Sequence, residues 1–235
     1  MFFLSFNLQH IPYPKDYEFS WTTKRLNGQN ILPQVRDQGQ RGTCVFQSLT
    51  AAAEVEFKKK AAIKDPPESS NVKFSTNEFI SDYERAEGCM PHDNPSGNRT
   101  VAAIKMFEEV GVLARGKGIA REKIKLKGHR KMNSMSFEDI KKLIKQGRPV
   151  VGSLRMDESL IEMKPGEIYD YTEKKKVINE VTGKVTTHAV VFIGFGVREG
   201  RAYLVFLNSW GNKYCEEGFG RVYFGHPYNF YTIDV

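Results

Sequence analysis

Apolar residues recur along the chain in two rhythms, a helical one early and a strand-like one late. From Thr43 to Lys60, Val45, Leu49, Ala52 and Ala53 form a partly apolar stripe, and Ala51 to Ala53 permit close packing, which predicts a helix. Pro66-Pro67 ends any continuation. Ser75 with Glu78 three residues on has the form of a capping box, and Phe79, Ile80 and Tyr83 give a second helix its apolar face. Val101, Ile104, Met106 and Phe107 predict a third helix over Val101 to Val110, stopped by Gly111. Ser136 and Asp139 cap a short fourth helix through Ile140, Leu143 and Ile144, ending at Gly147.

The later runs, Val150 to Leu154, Thr186 to Phe195, Ala202 to Leu207 and Gly220 to Phe224, are short, β-prone and broken by glycines. The first 40 residues, punctuated by Pro12, Pro14 and Pro33, read as an extended segment. Gly88, Pro91, Pro95 and Gly97 make a loop of residues 88–99. The order predicts an α+β chain with an N-terminal segment at 1–20, a helix-rich lobe at 21–127 and a β-rich lobe at 128–235. A cleft between lobes is a common place for a site.

Composition narrows the function classes. The chain has 235 residues, 40% hydrophobic and 27% charged, enough to bury a core. Its net charge of +7 comes largely from lysine-rich or mixed runs such as Lys58-Lys59-Lys60, Arg121 to Lys131 and Lys174-Lys175-Lys176, which read as solvated faces. No aromatics alternate with these cations, so nucleic acid is not an expected partner. Three cysteines, Cys44, Cys89 and Cys215, cannot all pair within the chain and form no Cys-x-x-Cys, so neither a disulfide scaffold nor a cysteine-rich zinc site is expected. That count leans toward a reducing compartment. No apolar run spans a bilayer, and the short apolar start at Met1 to Phe6 makes a poor signal peptide.

The chemistry concentrates in three places. In Gln38-Gly39-Gln40-Arg41-Gly42-Thr43-Cys44, two glycines allow a tight turn into a helix that starts at or near Cys44. A thiol there meets unpaired N–H groups and the positive end of the helix, both of which favour the thiolate. The Gln38 amide and the Cys44 N–H together would make an oxyanion hole. His188 opens the run Ala189 to Ile193, where an imidazole at a lobe edge can pair with the thiolate. In Asn208-Ser209-Trp210-Gly211, the Asn208 oxygen would accept the second ring N–H of His188, and Trp210 would keep water from that bond.

These three blocks, in this order, resemble the papain-like cysteine peptidases from Gln38 through Gly211. Asp16 to Trp21, Pro33 to Gln38 and Gly218-Phe219-Gly220-Arg221 are similar to further family segments, extending the likeness over about residues 16–225. The resemblance implies two lobes, a helical left lobe and a β-barrel right lobe, with the site in the cleft between them. It implies Cys44 as nucleophile, His188 as its acid–base partner, Asn208 as orienting group, Gln38 in the oxyanion hole and Trp210 as a shield. It implies peptide or protein substrates, no cofactor and no metal.

The chain departs from the family pattern at several points. Arg41 stands where many members have a disulfide cysteine whose usual partner falls on Cys89, so that bridge is not expected. Val45 and Tyr214 stand where tryptophans are usual, Tyr214 bordering the leaving-group side of the cleft. The usual Gly-Gly pair is replaced at best by Gly97-Asn98, and Arg99, Thr100, Ser153 and Ala189 fall on a substrate side-chain pocket. Only about 15 residues precede the apparent mature start, so a proteinaceous inhibitor or regulatory partner is an expected restraint. A cytoplasmic location follows from the missing signal and missing bridge, a vacuolar or secreted one if the chain is a processed fragment. The alternatives to peptide hydrolysis are a weak or inactive peptide-binding module, and acyl transfer or deamidation on the same triad.

Overall fold

The computed structural model describes residues 15–91, 99–116, 119–180 and 182–235. Helix α1 (Cys44–Ala62) runs through the middle of the molecule. Every residue from Cys44 to Glu56 is buried, so the expected apolar stripe is in fact a helix covered on all sides. Its two internal acids are paired, Glu54 with Arg36 at 2.7 Å and Glu56 with Lys59 at 2.9 Å, which is what burial of carboxylates requires.

On one side of α1 lie α2 (Thr76–Glu87) and α3 (Arg99–Glu109). Phe46 of α1 meets Phe79 and Tyr83 of α2 edge-on at 4.9 and 5.0 Å, and Phe79 meets Phe107 of α3 at 5.3 Å. Ser75 occupies the N-cap of α2, but its side chain makes no capping hydrogen bond, so the expected capping box does not form. Gly88 closes this helix in the left-handed conformation, at φ 68°. A small antiparallel sheet of β2 (Lys73–Phe74), β3 (Val112–Gly116) and β4 (Ile119–Ile124) completes this half.

The other half is a larger antiparallel sheet. Its strands are β1 (Tyr17–Ser20), β5 (Gly128–Met132), β6 (Val150–Arg155), β7 (Thr187–Arg198), β8 (Arg201–Leu207), β9 (Phe219–Tyr223) and β10 (Tyr228–Asp234), in the order β5-β10-β6-β7-β8-β9. Strand β7 is the axis: β6 pairs with Thr187 to Phe192 and β1 with Gly194 to Val197. Helix α4 (Phe137–Lys145) packs on β7 through Phe137 against Phe195, and here the Ser136 hydroxyl does accept from the Asp139 N–H, at 3.1 Å. A single turn, α5 (Glu158–Ile161), follows β6.

The expected right-hand barrel is corrected by this topology: the sheet is open, and its outer strands β5 and β9 do not pair. The outer edge of β9 is already taken. Tyr169 lies parallel to it, donating its N–H to the Arg221 carbonyl at 2.9 Å and accepting from the Tyr223 N–H at 3.0 Å. With those groups satisfied, nothing draws β5 round to close the sheet. The apolar core is nonetheless continuous, running from Leu49, Phe79 and Phe107 to Val190, Phe192 and Phe206. Among the described residues no helix is long and apolar enough to cross a membrane.

Candidate active site

The turn before α1 is held by backbone and side-chain bonds together. Gln38 N–H donates to Ser209 O at 2.9 Å, Gly39 N–H to the Asp37 carboxylate at 2.9 Å, and Thr43 N–H to Arg41 O at 2.8 Å. Gly39 takes φ +57°, a conformation in which a side chain would be strained. The chain therefore enters α1 at Cys44, whose backbone N–H belongs to the first turn and has no carbonyl four residues back.

Cys44 is buried and hydrogen-bonded to His188, with the Ala189 N–H also directed at its sulfur. Burial pushes the thiol up. The His188 hydrogen bond and charge, the Ala189 N–H and the charge of Arg99 outweigh it, and hold Cys44 below the ordinary thiol range.

His188 lies near the start of β7 and is 2% exposed. Its Nε2 is 2.6 Å from Asn208 Oδ1, and since an amide oxygen only accepts, Nε2 carries the donated hydrogen. The other ring nitrogen, Nδ1, is the one left for the Cys44 sulfur. Asn208 Oδ1 also accepts from the Ser209 N–H at 2.8 Å, which fixes the amide with its oxygen toward the histidine. The Trp210 ring lies over the imidazole with centroids 4.3 Å apart, and Tyr214 meets Trp210 edge-on at 5.1 Å. Tyr214 replaces an indole with a phenol that donates to Leu160 O at 3.0 Å, and its burial raises the phenol well above its usual range.

Gln38 is pinned at both ends of its amide. Its Oε1 accepts from the Ser209 hydroxyl at 2.7 Å, and its Nε2 donates one hydrogen to Arg41 O at 2.9 Å. The second Nε2 hydrogen remains for a ligand. Arg99 and Thr100 stand at the start of α3, while Ser153 on β6 lies directly opposite Ala189 on β7. Gly97 and Asn98 lie outside the described residues. All three cysteines are free, so Cys89 forms no bridge.

Two contributors were not foreseen. Ser209 orients both Asn208 and Gln38, and its place inside Asn-Ser-Trp-Gly was a signal that went unused. The Ala189 N–H toward sulfur is a backbone group and leaves no mark in a sequence.

A helix-start cysteine, a histidine from a facing sheet and an asparagine behind it define the papain-like class of cleft. Residues 17–233 match the family described as "Papain family cysteine protease", and the chain belongs to that family. It is 22% identical over 207 residues to a cathepsin L-like proteinase of Fasciola hepatica, covering 81% of this chain and 56% of that protein. A cysteine protease of Blomia tropicalis is 24% identical over 218 residues, covering 88% of this chain and 61% of that one. The chain thus spans little more than half the length of these curated relatives.

Among solved structures, digestive procathepsin L 3 of Tenebrio molitor superposes with a TM-score of 0.66 at 19% identity, covering 93% of this chain and 69% of that chain. The bromelain protease of Ananas comosus, solved in complex with the E64 inhibitor, gives 0.64 at 16% identity, covering 93% and 98%. At such identities the likeness speaks for the fold.

Proposed function

We propose that this protein is a cysteine peptidase that hydrolyses peptide bonds through a thioester. The observation that carries the reading is the unbroken chain from the Cys44 sulfur through His188 to Asn208, buried and covered by Trp210. In this reading residues 21–127 supply the nucleophile and 128–235 supply the histidine and asparagine, and the substrate is a peptide or protein lying between them.

The Cys44 thiolate attacks the scissile carbonyl carbon. The oxygen that gains charge is held by the Cys44 N–H and the free Nε2 hydrogen of Gln38. The His188 imidazolium gives its Nδ1 proton to the leaving nitrogen, the C–N bond breaks, and the acyl group remains on sulfur. His188 then takes a proton from water as its oxygen attacks the thioester, and C–S cleavage releases the acid and restores the thiolate. Asn208 keeps the imidazole in plane and stabilises its charged form through Nε2–H. Gln38, pinned by Ser209 and Arg41, needs no rearrangement to meet the oxyanion.

Cleavage of a mixed peptide library under reducing conditions tests the proposal. Fragments should appear with the native chain and disappear with Cys44→Ala. Equal cleavage by both, or none by either, contradicts it.

A further inference from the structure

A cavity of about 180 Å³ opens in the helical half, where the segment leading to Gln38 passes β2 and β3. It is many times larger than the about 10–15 Å³ that admits one water. Neither Cys44, His188 nor Asn208 lines it.

Three cations do: Arg36, Lys73 and Arg115. Lys73 on β2 and Arg115 on β3 are direct cross-strand partners. Side chains so paired leave the same face of the sheet with their Cβ atoms about 5 Å apart, and like charges there repel. Neither charge is matched by an acid. Lys73 donates to the neutral Gln34 amide oxygen at 2.9 Å, and Arg115 has no acidic partner among the described residues.

The third cation is only partly engaged. Arg36 Nη2 bonds to Glu54 at 2.7 Å, whereas Nη1 is buried with no hydrogen-bond partner among the described residues. A buried donor without an acceptor is costly, and a bound anion is one way to meet it. Glu54 is the one acid in the lining, and a single oxygen of it already accepts both Arg36 Nη2 and the Phe74 N–H. Three cations against one carboxylate leave two positive charges in excess. Ser75 lines the cavity as well, with a hydroxyl that makes no capping bond, at the N-terminus of the 12-residue α2. The dipole of that helix favours an anion there too.

We propose that this cavity binds a tetrahedral oxyanion, phosphate or sulfate, set between Lys73 and Arg115 and against Arg36 Nη1, with Ser75 as a neutral donor. An ion with several acceptor oxygens can meet donors that converge from different segments, and its charge turns a repelling pair into a binding one. The site does not depend on the peptidase reading.

Equilibrium dialysis with radiolabelled inorganic phosphate, at an ionic strength held constant with sodium chloride, tests it. One phosphate should bind per chain, and sodium sulfate should displace it. Lys73→Gln and Arg115→Gln should each weaken binding by about tenfold, the loss of one charge-assisted contact. Both side chains are exposed, so the variants should fold, and circular dichroism checks that they do. O-phosphoserine as competitor separates the sources: displacement as strong as by free phosphate marks a site open to phosphate esters, and weaker displacement a site for the free ion. No phosphate retained above chloride, or equal retention by the native chain, Lys73→Gln and Arg115→Gln, overturns the site.

Discussion

At the scale of single residues, the site works by setting one pKa against its own burial. Cys44 sits where desolvation alone raises a thiol, and the groups from the sheet, above all His188, reverse that. His188→Ala removes the largest compensating contributions and leaves burial. The rate of Cys44 alkylation by iodoacetamide should then rise only at higher pH, and at pH 6 it should fall by about tenfold or more, since one unit of pKa is tenfold in thiolate. The sign follows from the ionised form being the reactive one: a depressed pKa extends reactivity toward low pH, and its loss withdraws it. An unmoved pH–rate profile in His188→Ala would show that the histidine does not hold the thiolate. Cys44, His188, Asn208 and Gln38 were legible because side-chain chemistry at ordered spacing marks them. The Ser209 bond to Gln38 was not, because a serine hydroxyl serves so many local purposes that its partner is known only from the fold. The Ser75 capping box misled for a similar reason: the letters fit the motif, yet the Ser75 side chain makes no cap bond.

Among the elements, β7 carries most of the architecture. It holds His188 at its start and pairs with β1, β6 and β8. Its long apolar run, buried on both faces, is why the sequence marked it as a strand. The lesser strands were missed. Strands β4 and β5, IAREKI and GHRKM, are short, charged edge pieces whose pairing is decided by neighbours rather than by pattern. Two glycines let β1 lie against β7. A Cβ at Gly194 would stand 2.7 Å from the Phe19 carbonyl oxygen, and at Gly196 2.5 Å from that of Tyr17. Both obstacles are backbone and cannot swing aside. Gly194→Ala should therefore cost about 1–3 kcal/mol and lower the melting temperature by about 3–10 °C, measured by circular dichroism. A variant that melts with the native protein would mean that β1 is not held against β7 as described.

Taken as a whole, the molecule is two halves joined by one core, with the reactive groups divided between them. Helix order and the strand-rich second half followed from periodicity, whereas the closed barrel that the family resemblance implied does not form. Closure depends on whether the two edge strands pair with each other, and here Tyr169, distant in sequence from β9, bonds to part of its outer edge instead. The claim that matters most is also a property of the assembled molecule, because only the folded sheet brings His188 and Ala189 to the Cys44 sulfur. The most direct measurement is intact mass after incubation with the epoxide inhibitor E64 under reducing conditions, beside Cys44→Ala. The account predicts one adduct per native chain and none on the variant, although Cys89 and Cys215 are free thiols in both. No adduct on the folded native chain, or the same adduct on Cys44→Ala, would contradict it.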